Sequence, residues 1–160
     1  MKIGRNAAII MSGLTWIGIG VLLLTKGFSL ILSSVSIGQA AVLLPHLQVV
    51  AGGFQQAALI LVGIGLFVGF LKGRLVLEKS ASRIITRIVS LPNPCSLSSV
   101  YSRSYLILIA SMMGLGMGLR WIPIPYDLKG VIDVAIGSAL INGSAFYFRY
   151  FATPSKEIKK

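Results

Sequence analysis

Four stretches of this 160-residue chain, 7–25, 51–71, 104–119 and 134–148, contain no Asp, Glu, Lys or Arg. A helix that crosses the hydrocarbon core of a bilayer needs about 20 apolar residues at about 1.5 Å of rise each. The first two stretches meet that length alone, and the other two meet it with their interfacial flanks. Backbone in lipid must satisfy its own hydrogen bonds, which for segments of this length means helices. The expected fold is therefore an all-α integral membrane protein. A four-span helical bundle follows, a single domain over 1–160 with spans at about 7–25, 51–71, 104–122 and 131–150. Composition agrees: 12% of residues are charged and the mean hydropathy is +0.86, against about 25% charged in soluble domains.

The cations orient the bundle. Lys2 and Arg5 precede the first stretch; Lys72, Arg74, Lys79, Arg83, Arg87 and Arg103 separate the second from the third; Arg149, Lys156, Lys159 and Lys160 follow the fourth. The other connections hold only Lys26, Arg120 and Lys129. Lys and Arg are retained on the cytoplasmic side, so both termini and the loop 72–103 are expected inside: N-in, C-in, multi-pass, in a cell (cytoplasmic or inner) membrane or an organellar one. The net charge of +11 does not indicate a nucleic-acid partner, because these cations sit at span ends rather than on one folded surface.

Two early segments admit other readings. Residues 1–24 have the basic start and apolar run of a secretory signal, but the run exceeds the usual length of about 7–15 residues, and a span is expected. Residues 28–47 are also uncharged and contain Ser29, Ser33, Ser34, Ser36, Gln39, Pro45 and His46. They are expected to form an external, re-entrant segment turning near Gly38; the alternative, a fifth span, would put the N-terminus outside.

Helices in lipid associate through close backbone approach at small residues and through interhelical hydrogen bonds. Gly65, Gly69 and Gly73, then Gly114 and Gly118, then Ala135, Ala139 and Gly143 each recur at a four-residue step. Gly65, Gly69, Gly114, Gly118, Ala139 and Gly143 are the candidate packing positions. Three such faces exceed what a small bundle consumes, so a homo-oligomer or a larger membrane complex is expected. A parallel internal repeat would pair Gly18 and Gly20 with Gly116 and Gly118, and Gly63 and Gly69 with Gly137 and Gly143; the general likeness of glycine-rich helices accounts for the same pattern.

Between spans two and three, a 100° step places Lys79, Arg83 and Arg87 on one side and Leu77, Ala81, Ile84, Ile85 and Ile88 on the other. This predicts a basic amphipathic cytoplasmic helix, ended before Pro92 and Pro94. Lys72, Lys79, Arg83 and Arg87 are candidate contacts to anionic membrane lipids, each worth about 1 kcal/mol near the surface. The competing expectation is that this helix packs beneath the bundle.

At the opposite end, Asp127 suits the N-cap of the fourth span, and Asp133 is expected to pair with Arg120 or Lys129. Asn142, in mid-span, needs partners, and Ser12, Thr15 and Ser111 are within the range of choices. Ser138, Asn142, Gln55 and Ser12 are the candidate intramembrane polar contacts. The acids at 78, 127, 133 and 157, with His46 and Cys95 as the sole His and Cys, supply neither a nucleophile with its base nor a ligand cluster. No catalytic, cofactor or metal site is expected. The leading expectation is a nonenzymatic membrane subunit or assembly factor acting through helix packing and anionic lipid; the alternative is a small-solute transporter or channel with a polar path through the bundle.

Overall fold

A computed structural model describes residues 2–37, 41–90, 95–96, 107, 110–111, 114, 118 and 121–152. Helix α1 runs over Arg5–Ile37, 33 residues or about 50 Å. It does not stop at 25. No proline interrupts it, and the hydroxyls of Ser33, Ser34 and Ser36 donate to the carbonyls of Ser29, Leu30 and Leu32 at 2.8, 2.9 and 3.1 Å, so these polar residues are satisfied within the helix. The expected external segment 28–47 is thereby corrected: its first ten residues extend α1, and its last five open a separate short helix, α2, over Leu43–Ala51. Gly38, where the turn was expected, lies outside the described residues.

Helix α2 ends at Gly52, whose φ of 83° is the left-handed conformation that favours glycine; its N–H donates to the Gln48 carbonyl at 2.9 Å. Helix α3 covers Phe54–Lys72, a π-helical turn follows over Gly73–Leu77, and α4 continues over Glu78–Ser90. The π turn changes the facing of side chains without breaking the helical path. Helix α5, Tyr126–Ala152, begins after Pro123 and Pro125. A two-residue antiparallel pairing joins β1 (Lys2–Ile3) to β2 (Cys95–Ser96).

Among the described residues, three helical stretches are long and apolar enough to cross a membrane: Asn6–Ser36, Phe54–Leu75 and Tyr126–Tyr150. The expected span at 104–122 lies largely outside the described residues. Within it, Ile107, Ala110, Ser111, Gly114 and Gly118 are helical and exposed.

Glycine registers fix how α1, α3 and α5 meet. A Cβ on Gly13 would stand 3.1 Å from the Tyr147 Cβ, one on Gly20 2.9 Å from the Gly137 oxygen, and one on Gly27 2.7 Å from the Gly130 oxygen. As α1 advances α5 recedes, so the two are antiparallel, and the contacts recur every seven residues along α1. On α3 the step is four and the direction reversed. Gly65 faces Val131 and Val134, Gly69 faces Ala135 and Ser138, and Gly73 of the π turn faces Ala139 and Asn142. Helices α3 and α5 run parallel. Two buried clusters cap this arrangement, one of Ile31, Leu44, Ala57, Ala58, Leu61 and Val134 at the α2 end, the other joining α4 to the start of α1 and the end of α5.

Candidate functional site

Asp133 sits about 10 Å along α5 from Tyr126, with its side chain 3% exposed, and its Oδ2 is 3.2 Å from the Lys26 Nζ of α1. This corrects the expected partner. Lys26, placed by its sequence between two uncharged runs, is inside the long helix α1, and the close approach of Gly27 to Gly130 brings it to the level of Asp133. Lys129 instead lies over the Tyr126 ring, 5.7 Å from its centroid. Arg120 lies outside the described residues. The second carboxylate oxygen, Asp133 Oδ1, is buried and has no hydrogen-bond partner among the described residues. A carboxylate so enclosed is costly in a membrane unless a cation accompanies it.

Asp127 has a role that local sequence could not indicate. Fully buried, it accepts the Leu128 N–H on Oδ1 at 2.8 Å. Its Oδ2 accepts the backbone N–H groups of Val42, Leu43 and Leu44 at 2.9, 2.6 and 3.1 Å. These are the free donors at the start of α2, and the next residue, Pro45, has none. A charged acceptor there opposes the positive end of the helix dipole. Asp127 thus caps a helix more than eighty residues away rather than only its own.

The intramembrane polar residues are not gathered into one place. The Ser138 hydroxyl donates across the interface to the Leu66 carbonyl of α3 at 3.0 Å. The Asn142 Nδ2 donates to the Ser138 carbonyl on its own helix at 2.8 Å, not to Ser12, Thr15 or Ser111. Ser12 and Thr15 donate to the carbonyls of Ala8 and Met11, each one turn back. Gln55 is exposed in the first turn of α3, about 16 Å along that helix from Leu66.

Of the packing positions, Gly65, Gly69 and Ala139 stand at the α3–α5 seam, and Gly143 makes room for Trp16 and Leu77, whose nearest atoms a Cβ would meet at 2.9 and 3.0 Å. Gly114 and Gly118 have no described atom within 4 Å of where a Cβ would be, so the four-residue step on that stretch meets nothing among the described residues. The α1 register of Gly13, Gly20 and Gly27 follows a step of seven rather than the expected four, and the same step relates Gly130, Gly137 and Ser144 on α5.

At the other end, the apolar face of α4 is taken up by protein. Leu77, Ala81, Ile85 and Ile88 share a cluster with Ala8, Ile9, Trp16 and Tyr147, and Trp16 and Tyr147 meet edge to face with centroids 5.6 Å apart. Helix α4 therefore packs beneath the bundle. Its opposite face exposes Lys79, Arg83 and Arg87, with Lys72 and Arg74 exposed just before it. None of these five has a described carboxylate partner within ion-pair distance.

A groove runs between the later half of α1 and α3. Its two cavities, of 670 and 460 Å³, share Phe28, Leu32, Ser36 and Val62. The hydroxyls of Thr25, Ser33 and Ser36 along it donate to carbonyls of their own helix, so the walls present chiefly apolar surface. Among the described residues no three His, Cys, Asp or Glu side chains gather as metal ligands would. No protein-family model, curated protein or solved structure matches the chain.

Proposed function

We propose that the chain is a nonenzymatic, multi-pass membrane subunit or assembly factor that crosses the bilayer four times with both termini inside, and that it binds anionic lipid through Lys72, Lys79, Arg83 and Arg87. One observation carries the reading: the apolar face of α4 is used up against α1 and α5, which leaves its cationic face outward and, among the described residues, without carboxylate partners. A helix held in that way presents a fixed row of positive charge at one end of the bundle, where headgroups lie. The orientation is supported by the same end of the molecule holding Arg5, α4 and Arg149, in keeping with retention of cations inside.

The lipid reading is tested by replacing Lys79, Arg83 and Arg87 together with Gln in the intact protein. At about 1 kcal/mol per cation, retention of phosphatidylglycerol over phosphatidylcholine, read by native mass spectrometry, is expected to fall about a hundredfold. Unchanged preference would overturn it. The subunit reading is tested by native electrophoresis in mild detergent, where a species larger than one chain is expected and a lone monomer counts against it. The transporter alternative needs Ser138, Asn142 and Gln55 on one water-accessible route. The hydrogen bonds of Ser138 and Asn142 to backbone carbonyls favour packing over that route.

A further inference from the structure

The short helix α2 is tied to the bundle in two ways. Leu44 is fully buried with Ile31, Ala57, Ala58, Leu61 and Val134, and the Asp127 carboxylate takes the three backbone donors at the start of the helix. Leu43, Leu47 and Ala51 pack partly buried against the same cluster, while Val42, Val49 and Val50 are exposed, the last two by 81% and 88%. The cluster beneath Leu44 also forms part of the groove wall, since Ile31, Val35, Ala58 and Val62 belong to both. Among the described residues, one oxygen of one side chain thus accounts for the polar attachment of α2 to the rest of the bundle.

We propose that α2 is a strap closing the end of the α1–α3 groove, and that Asp127 is its latch. Loss of the carboxylate leaves three donors without an acceptor, while the glycine seams between α1, α3 and α5 do not involve Asp127 and stay closed. The strap then lifts as a unit from the groove wall.

Hydrogen exchange in the full-length protein in nanodiscs reads this directly. In Asp127→Ala, exchange over 41–51 is expected to quicken at least tenfold, with α1 over 8–27 and α5 over 137–147 unchanged; Asp127→Asn, which keeps a neutral acceptor, is expected to fall between. Ala57→Cys, placed under α2 in a Cys95→Ser background, is expected to react with a water-soluble maleimide at least tenfold faster when Asp127→Ala is added. Ala81→Cys, buried at the α4 end, serves as the control. Faster exchange confined to 42–44 with Ala57→Cys still shielded would make Asp127 a local cap and overturn the strap. Equal gains at α2, α1 and Ala81→Cys would make it a staple of the entire bundle, which also overturns the proposal, as would no change anywhere.

Discussion

Gly27→Ala places one methyl group at the tightest part of the α1–α5 seam. Its Cβ would lie 2.7 Å from the Gly130 oxygen, 2.8 Å from the Val134 nitrogen and 2.9 Å from the Val134 Cγ2. Two of these are backbone atoms of the facing helix and cannot rotate away. Restoring an ordinary 3.4 Å contact from 2.7 Å needs a separation of roughly 0.7 Å, and a gap of that size forfeits about a quarter to a half of each dispersion contact nearby. With roughly twenty atom pairs at about 0.1–0.2 kcal/mol each around the crossing, the loss is on the order of 1 kcal/mol, and strain of the overpacked site raises the range to about 1–3 kcal/mol. Gly18→Ala on the same helix is the reference, because no described atom lies within 4 Å of where its Cβ would be; there the better helix propensity of Ala acts, a gain of up to about 1 kcal/mol. The comparison cancels propensity and isolates the clash. Reversible unfolding in mixed micelles should place Gly27→Ala below Gly18→Ala by at least 1 kcal/mol. Equal stabilities would show that the seven-residue glycine register does not set the approach of these helices.

Lys26→Met alone strands a buried carboxylate and is expected to destabilise by about 3 kcal/mol, whereas Lys26→Met with Asp133→Leu should recover most of that loss; additive single and double effects in the same unfolding assay would contradict a coupled pair. Ser138→Ala removes the hydrogen bond to the Leu66 carbonyl and should cost about 0.6 kcal/mol. A loss of 2 kcal/mol or more would mean that the hydroxyl does something beyond joining α3 to α5.

The membrane-embedded helices were legible because hydrocarbon excludes charge: the uncharged runs at 7–25 and 134–148 fall within α1 and α5, and the run at 51–71 covers all of α3 but Lys72. Their limits were less legible. Lys26 reads as a loop residue when charge alone marks boundaries, yet its counter-charge is on another helix, and a one-dimensional pattern holds no record of that pairing. The hydroxyl-rich continuation of α1 misled for a related reason: serine suggests a loop until its donation to a carbonyl one turn back is counted. The four-residue step of Gly65 and Gly69 could be read, but not the helix it faces. Asp127 offered least, since its four N–H partners include three from a segment distant in the chain.

The directions of the helices constrain topology independently of the cation rule. Helices α3 and α5 run parallel and both are long and apolar enough to span, so in the topology proposed above their first residues would share one side of the membrane and their last residues the other. The chain leaving α3 would then recross an odd number of times before α5 begins. This parity holds whichever side the termini occupy, and so separates the number of crossings from their orientation. In a Cys95→Ser background, Gln55→Cys and Leu128→Cys should react with an impermeant maleimide from the same side of sealed vesicles, and Arg83→Cys only from the other. Were Gln55→Cys and Leu128→Cys labelled from opposite sides, the parallel packing of Gly65, Gly69 and Gly73 on α5 could not exist in the bilayer, and the fourfold crossing proposed above would fall with it.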